Sequence, residues 1–228
     1  MTSSVPTGTR GAPPEGRAFV VDPPGFRRQP SQERSRRMVA FIEEACERLL
    51  EADGADAISP RRLADLAGVE VGSLYQYFPN VEAVIAAVCR RRTLEFCRRH
   101  AERVAGFERM SFTDAVRVTL RGVIEHHAAM HRLAPAFYLK YGEHYFDLSR
   151  YLDEIFGTRG STQHILQRHY EASGINAVDT EMAAFLMCRC VTSAIVETAR
   201  ERPEYLTRPP FEDHLVNLVL GLARPALA

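Results

Sequence analysis

The sequence predicts an all-α fold. Apolar residues recur at offsets of three and four from Ser31 to the C-terminus, the period of one helix face. Glycine and proline fall between these runs, at Gly54, Gly68, Pro79, Pro203 and Pro209–Pro210, where helices stop and start. No stretch alternates apolar and polar residues as a half-buried strand would, and no internal repeat is present. At 228 residues and 46% apolar content, the chain suffices for one or two modest domains with a real core.

Residues 1–30 are rich in Pro, Gly, Ser and Thr and lack a hydrophobic period, so a disordered arm is expected there. From Ser31 the pattern changes. Met38, Val39, Ile42, Ala45, Cys46, Leu49 and Leu50 make one apolar stripe of a long amphipathic helix ending at Gly54. Ser59 can cap a second helix whose first position, Pro60, needs no N–H partner. Leu63, Ala64, Leu66 and Ala67 give it a buried face, and Gly68-Val69-Glu70 breaks it. A third short helix is expected from about Val71 to Tyr77. Pro79-Asn80 stops it and caps a fourth helix, about 81–105, carrying Val84, Ile85, Val88 and Cys89.

Further on, Ser111 and Asp114 have capping-box spacing ahead of Val116, Leu120 and Val123. Pro135 and Gly142 are expected to interrupt the middle of the chain. Helices are expected at 146–156 and 162–172, with a loop at 157–160, and two more at about 179–202 and 211–222.

The segment LADLAGVEVGSLYQYF (63–78) is helix, tight glycine turn, helix, which is the geometry of a DNA-reading helix-turn-helix. Gly68 supplies the turn. Leu63, Leu66, Val69, Leu74 and Phe78 would pin the pair onto the first helix. With Leu74 and Phe78 inward, Gly72, Ser73 and Gln76 point outward and Tyr75 and Tyr77 lie on the flanks, at about 100° per residue. Such a narrow polar face fits a major groove about 12 Å wide.

From Arg34 to Val88 the chain resembles the N-terminal domain of the TetR family. The resemblance rests on the apolar run ending LLEADG, the LADLAGV turn, the GSLYQYF helix and the NVEAV start of helix four. It implies a homodimer on an inverted repeat of duplex DNA, usually a repressor, released by a small molecule held in the C-terminal body. The domains are then 1–30, an arm; 31–80, the DNA-binding unit, with helix four as connector; and 81–228, the regulatory and dimerisation unit. The same resemblance makes Arg61 a DNA contact and makes Val71, Gly72 and Ser73 the reading start of the third helix. Tyr75 and Tyr77 become phosphate contacts, and Gln76 a base-edge or phosphate contact. Two positions depart from the pattern: Val81 replaces a common phosphate-gripping lysine, and Glu70 a frequent hydroxyl residue. Arg27, Arg28, Arg34, Arg36 and Arg37 form a basic run with Glu33 as its only acid, and basic arms can lie in a minor groove.

The helix at 179–202 is apolar on more than one side and the last helix repeats the pattern, so both are expected to be buried on two fronts. Ala183, Met187, Cys190, Ala194, Leu215, Leu218 and Leu222 are the candidate dimer residues, two helices from each subunit making a four-helix interface. Ligand-binding candidates are His127, Met130, His131, Phe137, Tyr141 and Phe185, with Phe146 and Tyr151 beside them. Aromatic and Met residues at this spacing fill cores more often than they line pockets.

Formal net charge is zero and Lys140 is the only lysine, so any basic patch must be local. The five cysteines form no CxxC pair or zinc spacing, and His127 with His131 lacks further ligands, so neither metal nor cofactor is expected. There is no 18-residue apolar run, so no membrane span is expected, and unpaired thiols fit a reducing cytoplasm. No Walker loop, dinucleotide fingerprint, GxSxG elbow or HExxH motif argues for an enzyme.

Overall fold

Helix α1 (Glu33–Asp53) turns its apolar stripe inward: Val39, Ile42, Ala45, Cys46, Leu49 and Leu50 are all buried. It ends at Gly54, whose N–H donates to the Leu50 carbonyl at 3.2 Å. Gly54 has φ +78° and ψ 174°, a conformation that a side chain would strain. A 3-10 turn (Ala55–Ala57) leads into α2 (Pro60–Ala67). There Ser59 Oγ accepts from the Arg62 N–H at 3.2 Å, and Pro60 takes the first helical position. Helix α3 spans Val71–Tyr77, and α4 spans Val81–Val104, started by Asn80 Oδ1 accepting from the Ala83 N–H at 2.8 Å.

The computed structural model describes residues 25–104, 110–145, 159–174 and 180–224. The helix expected at 146–156, with Phe146 and Tyr151, lies outside the described residues, as do 1–24 of the expected arm. Ser111 caps α5 (Phe112–Leu133), its Oγ accepting from the Asp114 N–H at 3.1 Å. Then come α6 (Pro135–Tyr145), α7 (Arg159–Ala172), α8 (Thr180–Glu201), a 3-10 turn (Pro203–Thr207) and α9 (Pro209–Leu222). The loop expected at 157–160 gives way to helix by Arg159. Among the described residues there is no strand.

Helix α1 packs on α2 and α4; α4 packs on α5 and α6; α5 packs on α8 and α9. One cluster of buried apolar side chains runs from Val39 in α1 to Ala223 after α9, so the N-terminal helices and the body share a continuous core.

Two expectations about packing need correcting. Leu66, placed on the buried face of α2, is 46% exposed. In this eight-residue helix the buried stripe is centred between Leu63 and Ala64, and at about 100° per residue Leu66 falls roughly 110° away from it. Gly142, expected to interrupt the chain, lies inside α6. A Cβ there would stand 3.6 Å from the Tyr138 ring and 3.8 Å from Val196, so this glycine allows close packing of α6 on α8.

Helix α8 is long and apolar enough to cross a membrane by length and composition, a test that the core helix of a helical body also meets. Its buried residues, Ala184, Met187, Val191, Ile195, Val196 and Ala199, pack into the helical body instead.

Candidate functional site

Gly68 adopts φ +66° and ψ 34°, the left-handed conformation that ends α2. Its N–H donates to Asp65 O at 3.3 Å, and the Val69 N–H reaches back to Ala64 O at 3.0 Å. These bonds close the turn and set α3 across α2. Leu74 and Phe78 are fully buried and anchor α3 to the core. The opposite side bears Gly72, Tyr75 and Gln76, all exposed and spaced by three and four, hence on one face. Arg61 is exposed in the first turn of α2. Val71, Ser73 and Tyr77 are half-buried, and Tyr77 packs against the core. Tyr75, expected on a flank, therefore stands beside Gln76 on the outward face, and Ser73, expected outward, shares the flank with Tyr77.

The last residues of the expected arm are not free of the fold. Phe26 lies on Phe78 with ring centroids 4.8 Å apart. The Arg27 N–H donates to Tyr77 O at 2.7 Å, and its guanidinium donates to Tyr75 O at 3.3 Å. A cation at the C-terminal end of a helix satisfies carbonyls that the helix leaves open. Phe26 was missed by sequence reasoning; one of only two aromatics in a Pro- and Gly-rich segment was the available signal.

An ionic clasp binds α1 to α4. Arg91 donates to Glu43 at 3.2 Å, to Glu95 at 3.1 Å, and also to Glu47, while Arg92 joins Glu47 to Glu51. Burial opposes ionisation of Glu47, but hydrogen bonds from Arg91 and Arg92 outweigh it and hold its pKa below the ordinary value. Glu43 lies deeper, and burial pushes its carboxyl up despite Arg91. At the start of α4, in its first turn, Glu82 pairs with Lys140 of α6 at 2.8 Å.

Between α4 and α5 lies a cavity of about 390 Å³, lined by residues including Phe96, Arg99, His100, Gly122, His126 and Met130. Phe96 stacks on His126 at 4.5 Å and on His100 at 5.3 Å, with interplanar angles of 13° and 20°. His126 Nε2 meets Thr93 Oγ1 at 3.2 Å. His100 Nδ1 is buried with no hydrogen-bond partner, a situation that costs about 1–3 kcal/mol. Of the expected ligand residues, Met130 lines this cavity. His127 is buried with Nδ1 2.7 Å from the Tyr138 hydroxyl, and His131 stands edge-on to the same ring. Phe137 and Tyr141 are packed in the core 4.8 Å apart. Phe185 is 62% exposed on α8 and does not line this cavity.

Burial holds the His126 pKa down to about 3 and that of His100 down to about 4, against an ordinary 6.5. The folded chain keeps both neutral, while the unfolded chain protonates them below about 6.5. Because the folded values are depressed, the associated stability is full above about 6.5 and is lost as pH falls toward 4. The urea midpoint should therefore drop between pH 7 and pH 5, and His126→Gln should flatten part of that drop. A midpoint constant over this window would contradict the burial of both rings.

The candidate dimer residues divide. Met187 and Leu215 are buried within the single chain, so their side chains belong to its core and not to an outer face. Ala183, Cys190, Ala194 and Leu222 are half-buried, and Leu218 is 40% exposed. Beside them on α8, Met182 and Leu186 are exposed together with Phe185. Of the cysteines, Cys46, Cys89 and Cys97 are buried, and burial pushes their thiols up to about 12; Cys188 and Cys190 are half-buried, and none of the five is in a disulfide.

Residues 42–88, which hold the core of α1, the turn, α3 and the start of α4, match the family model for bacterial regulatory proteins, tetR family. Over this segment, about a fifth of its length, the chain is similar to the TetR family. No curated protein matches it. Solved structures share the TetR-type fold. The fatty acid degradation regulator FadR from Bacillus halodurans is 19% identical with a TM-score of 0.55, covering 81% of this chain and 95% of its own. RolR in complex with resorcinol is 16% identical with a TM-score of 0.56, covering 86% and 98%. FadR from Bacillus subtilis in complex with stearoyl-CoA is 20% identical with a TM-score of 0.52, covering 83% and 99%.

Proposed function

We propose that this chain is a cytoplasmic homodimeric repressor of the TetR type that binds an inverted-repeat operator and is released by a small molecule in its helical body. The observation that carries this reading is the outward face of α3. Gly72, Tyr75 and Gln76 are exposed together, while Leu74 and Phe78 fix the helix from behind. Gly72 lets the backbone approach the groove, Gln76 reads a base edge, and Tyr75, Tyr77 and Arg61 grip phosphates, with Val71 and Ser73 at the reading start. Two such helices read half-sites about 34–36 Å apart.

Dimerisation is supported by the apolar strip on α8, Met182, Phe185 and Leu186, with Leu218 on α9, which one chain leaves uncovered. Ligand release is supported by the cavity between α4 and α5, since α4 leads directly from the DNA-binding helices. RolR was solved with resorcinol and Bacillus subtilis FadR with stearoyl-CoA. A ligand that shifts α4 would also act on the Glu82–Lys140 pair, which ties its first turn to α6.

The test is selection of binding sites from random duplex DNA followed by salt titration. An enriched inverted repeat whose affinity falls steeply as salt rises is the expected outcome; absence of enrichment with folded protein would overturn the reading. On the selected site, Gln76→Ala should lower discrimination at one base pair by about 1–3 kcal/mol while leaving the salt slope intact.

A further inference from the structure

The cavity between α4 and α5 holds polar groups that the fold itself does not use. His100 is 95% buried by its 5% exposure, yet Nδ1 has no partner. Arg99 and Arg103 stand one turn apart on the same wall of α4 and form no ion pair among the described residues, whereas Arg91, Arg92, Arg117 and Arg121 are all engaged with carboxylates. Three acids also line the cavity. Glu47 and Glu95 are held by Arg91 and Arg92, while Glu125 forms no ion pair among the described residues and offsets one of the two unpaired arginines. The uncommitted charge at the cavity is therefore mainly positive.

The remaining lining is aromatic and soft. Phe96 lies between two imidazoles, and Met130 and Ala129 face the same space. Gly122 sits in the interior of α5, where glycine disfavours a helix. A Cβ at that position would stand 3.4 Å from His100 Nδ1 and 3.6 Å from the Phe96 ring. The glycine thus keeps the wall bare next to the unpaired nitrogen.

From this arrangement we infer that the cavity binds a small hydroxylated aromatic carboxylic acid. Its ring packs on Met130 and the edge of Phe96, its carboxylate is taken by Arg99 and Arg103, and its hydroxyl pairs with His100 Nδ1. Arginine forks suit a carboxylate, and a thioether suits an aromatic ring. The inference rests on the proposed ligand-responsive function and specifies its ligand class. It also gives the ligand a route to the DNA-binding helices. Glu47 and Arg92 line the same cavity and belong to the α1–α4 clasp, so an anion there draws on Arg92 and weakens its hold on α1.

The experiment is calorimetric titration of the full chain with 4-hydroxybenzoate, alongside 4-hydroxybenzamide and cyclohexanecarboxylate. Saturable binding of 4-hydroxybenzoate is expected, with the amide and the alicyclic acid weaker by roughly ten- to a hundredfold. The rim variants Arg99→Gln and Arg103→Gln should weaken it similarly. Gly122→Ala should do so while its melting temperature stays equal or rises, because alanine favours the helix. No saturable binding to the wild-type chain, or equal binding to all three variants, would overturn the assignment. The same protein is tested on its selected duplex. DNA binding without acid binding sinks the ligand class and leaves the regulator standing; acid binding without DNA binding does the reverse.

Discussion

Phe78→Ala should unfold the N-terminal helices or leave them marginal, and duplex binding should vanish with them. Phe78 is fully buried at the end of α3, its N–H donates to Leu74 O at 3.0 Å, and Phe26 covers its ring. Truncating such a phenylalanine removes its transfer energy and leaves a cavity, about 3–5 kcal/mol together. Domains of this kind are stable by about 5–15 kcal/mol in total. Urea unfolding followed by circular dichroism gives the loss directly. Phe26→Ala should cost less, since Phe26 is only partly buried and is anchored as well by the Arg27 backbone bond. A Phe78→Ala chain within about 1 kcal/mol of wild type would mean that α3 is held some other way.

The second large effect is expected at the far end of the molecule. Phe185→Asp should convert the proposed dimer to a monomer at micromolar concentration, read by sedimentation velocity. Phe185 is 62% exposed between Met182 and Leu186, so the substitution touches little inside its own chain. At an interface, a central aromatic contributes about 2 kcal/mol or more, and a carboxylate buried without a partner adds its own cost. Operator affinity should fall with dimerisation, because one recognition helix reaches only one half-site. Leu215→Ala provides the contrast. Its side chain is buried within the chain, so the variant should lose about 2–5 kcal/mol of stability with no change of oligomeric state. A Phe185→Asp chain that stays dimeric would place the interface elsewhere.

These contrasts mark where local chemistry suffices. Ser59, Gly68, Asn80 and Ser111 begin or end helices where the sequence indicated, since each acts on backbone groups within about four residues. Residues 42–88 carry a family signature for the same reason: turn and anchor residues sit close together in the chain.

Other features join residues far apart. Arg91 meets Glu43 across 48 positions, and Lys140 meets Glu82 across 58. The orphaned nitrogen of His100 and the bare wall at Gly122 exist only where α4 crosses α5. Helix α8 is the sharpest case. Its sequence shows two apolar fronts but cannot say that Met187 faces the home core while Phe185 faces out, because both are equally hydrophobic on a helical wheel. The sequence by itself determined the all-α class, the helix-turn-helix and its caps, through periodicity and short-range hydrogen bonding. Only the tertiary structure decided which apolar front is spent within the chain and which charges remain unpaired at the cavity, because burial and pairing depend on the neighbours that folding brings together.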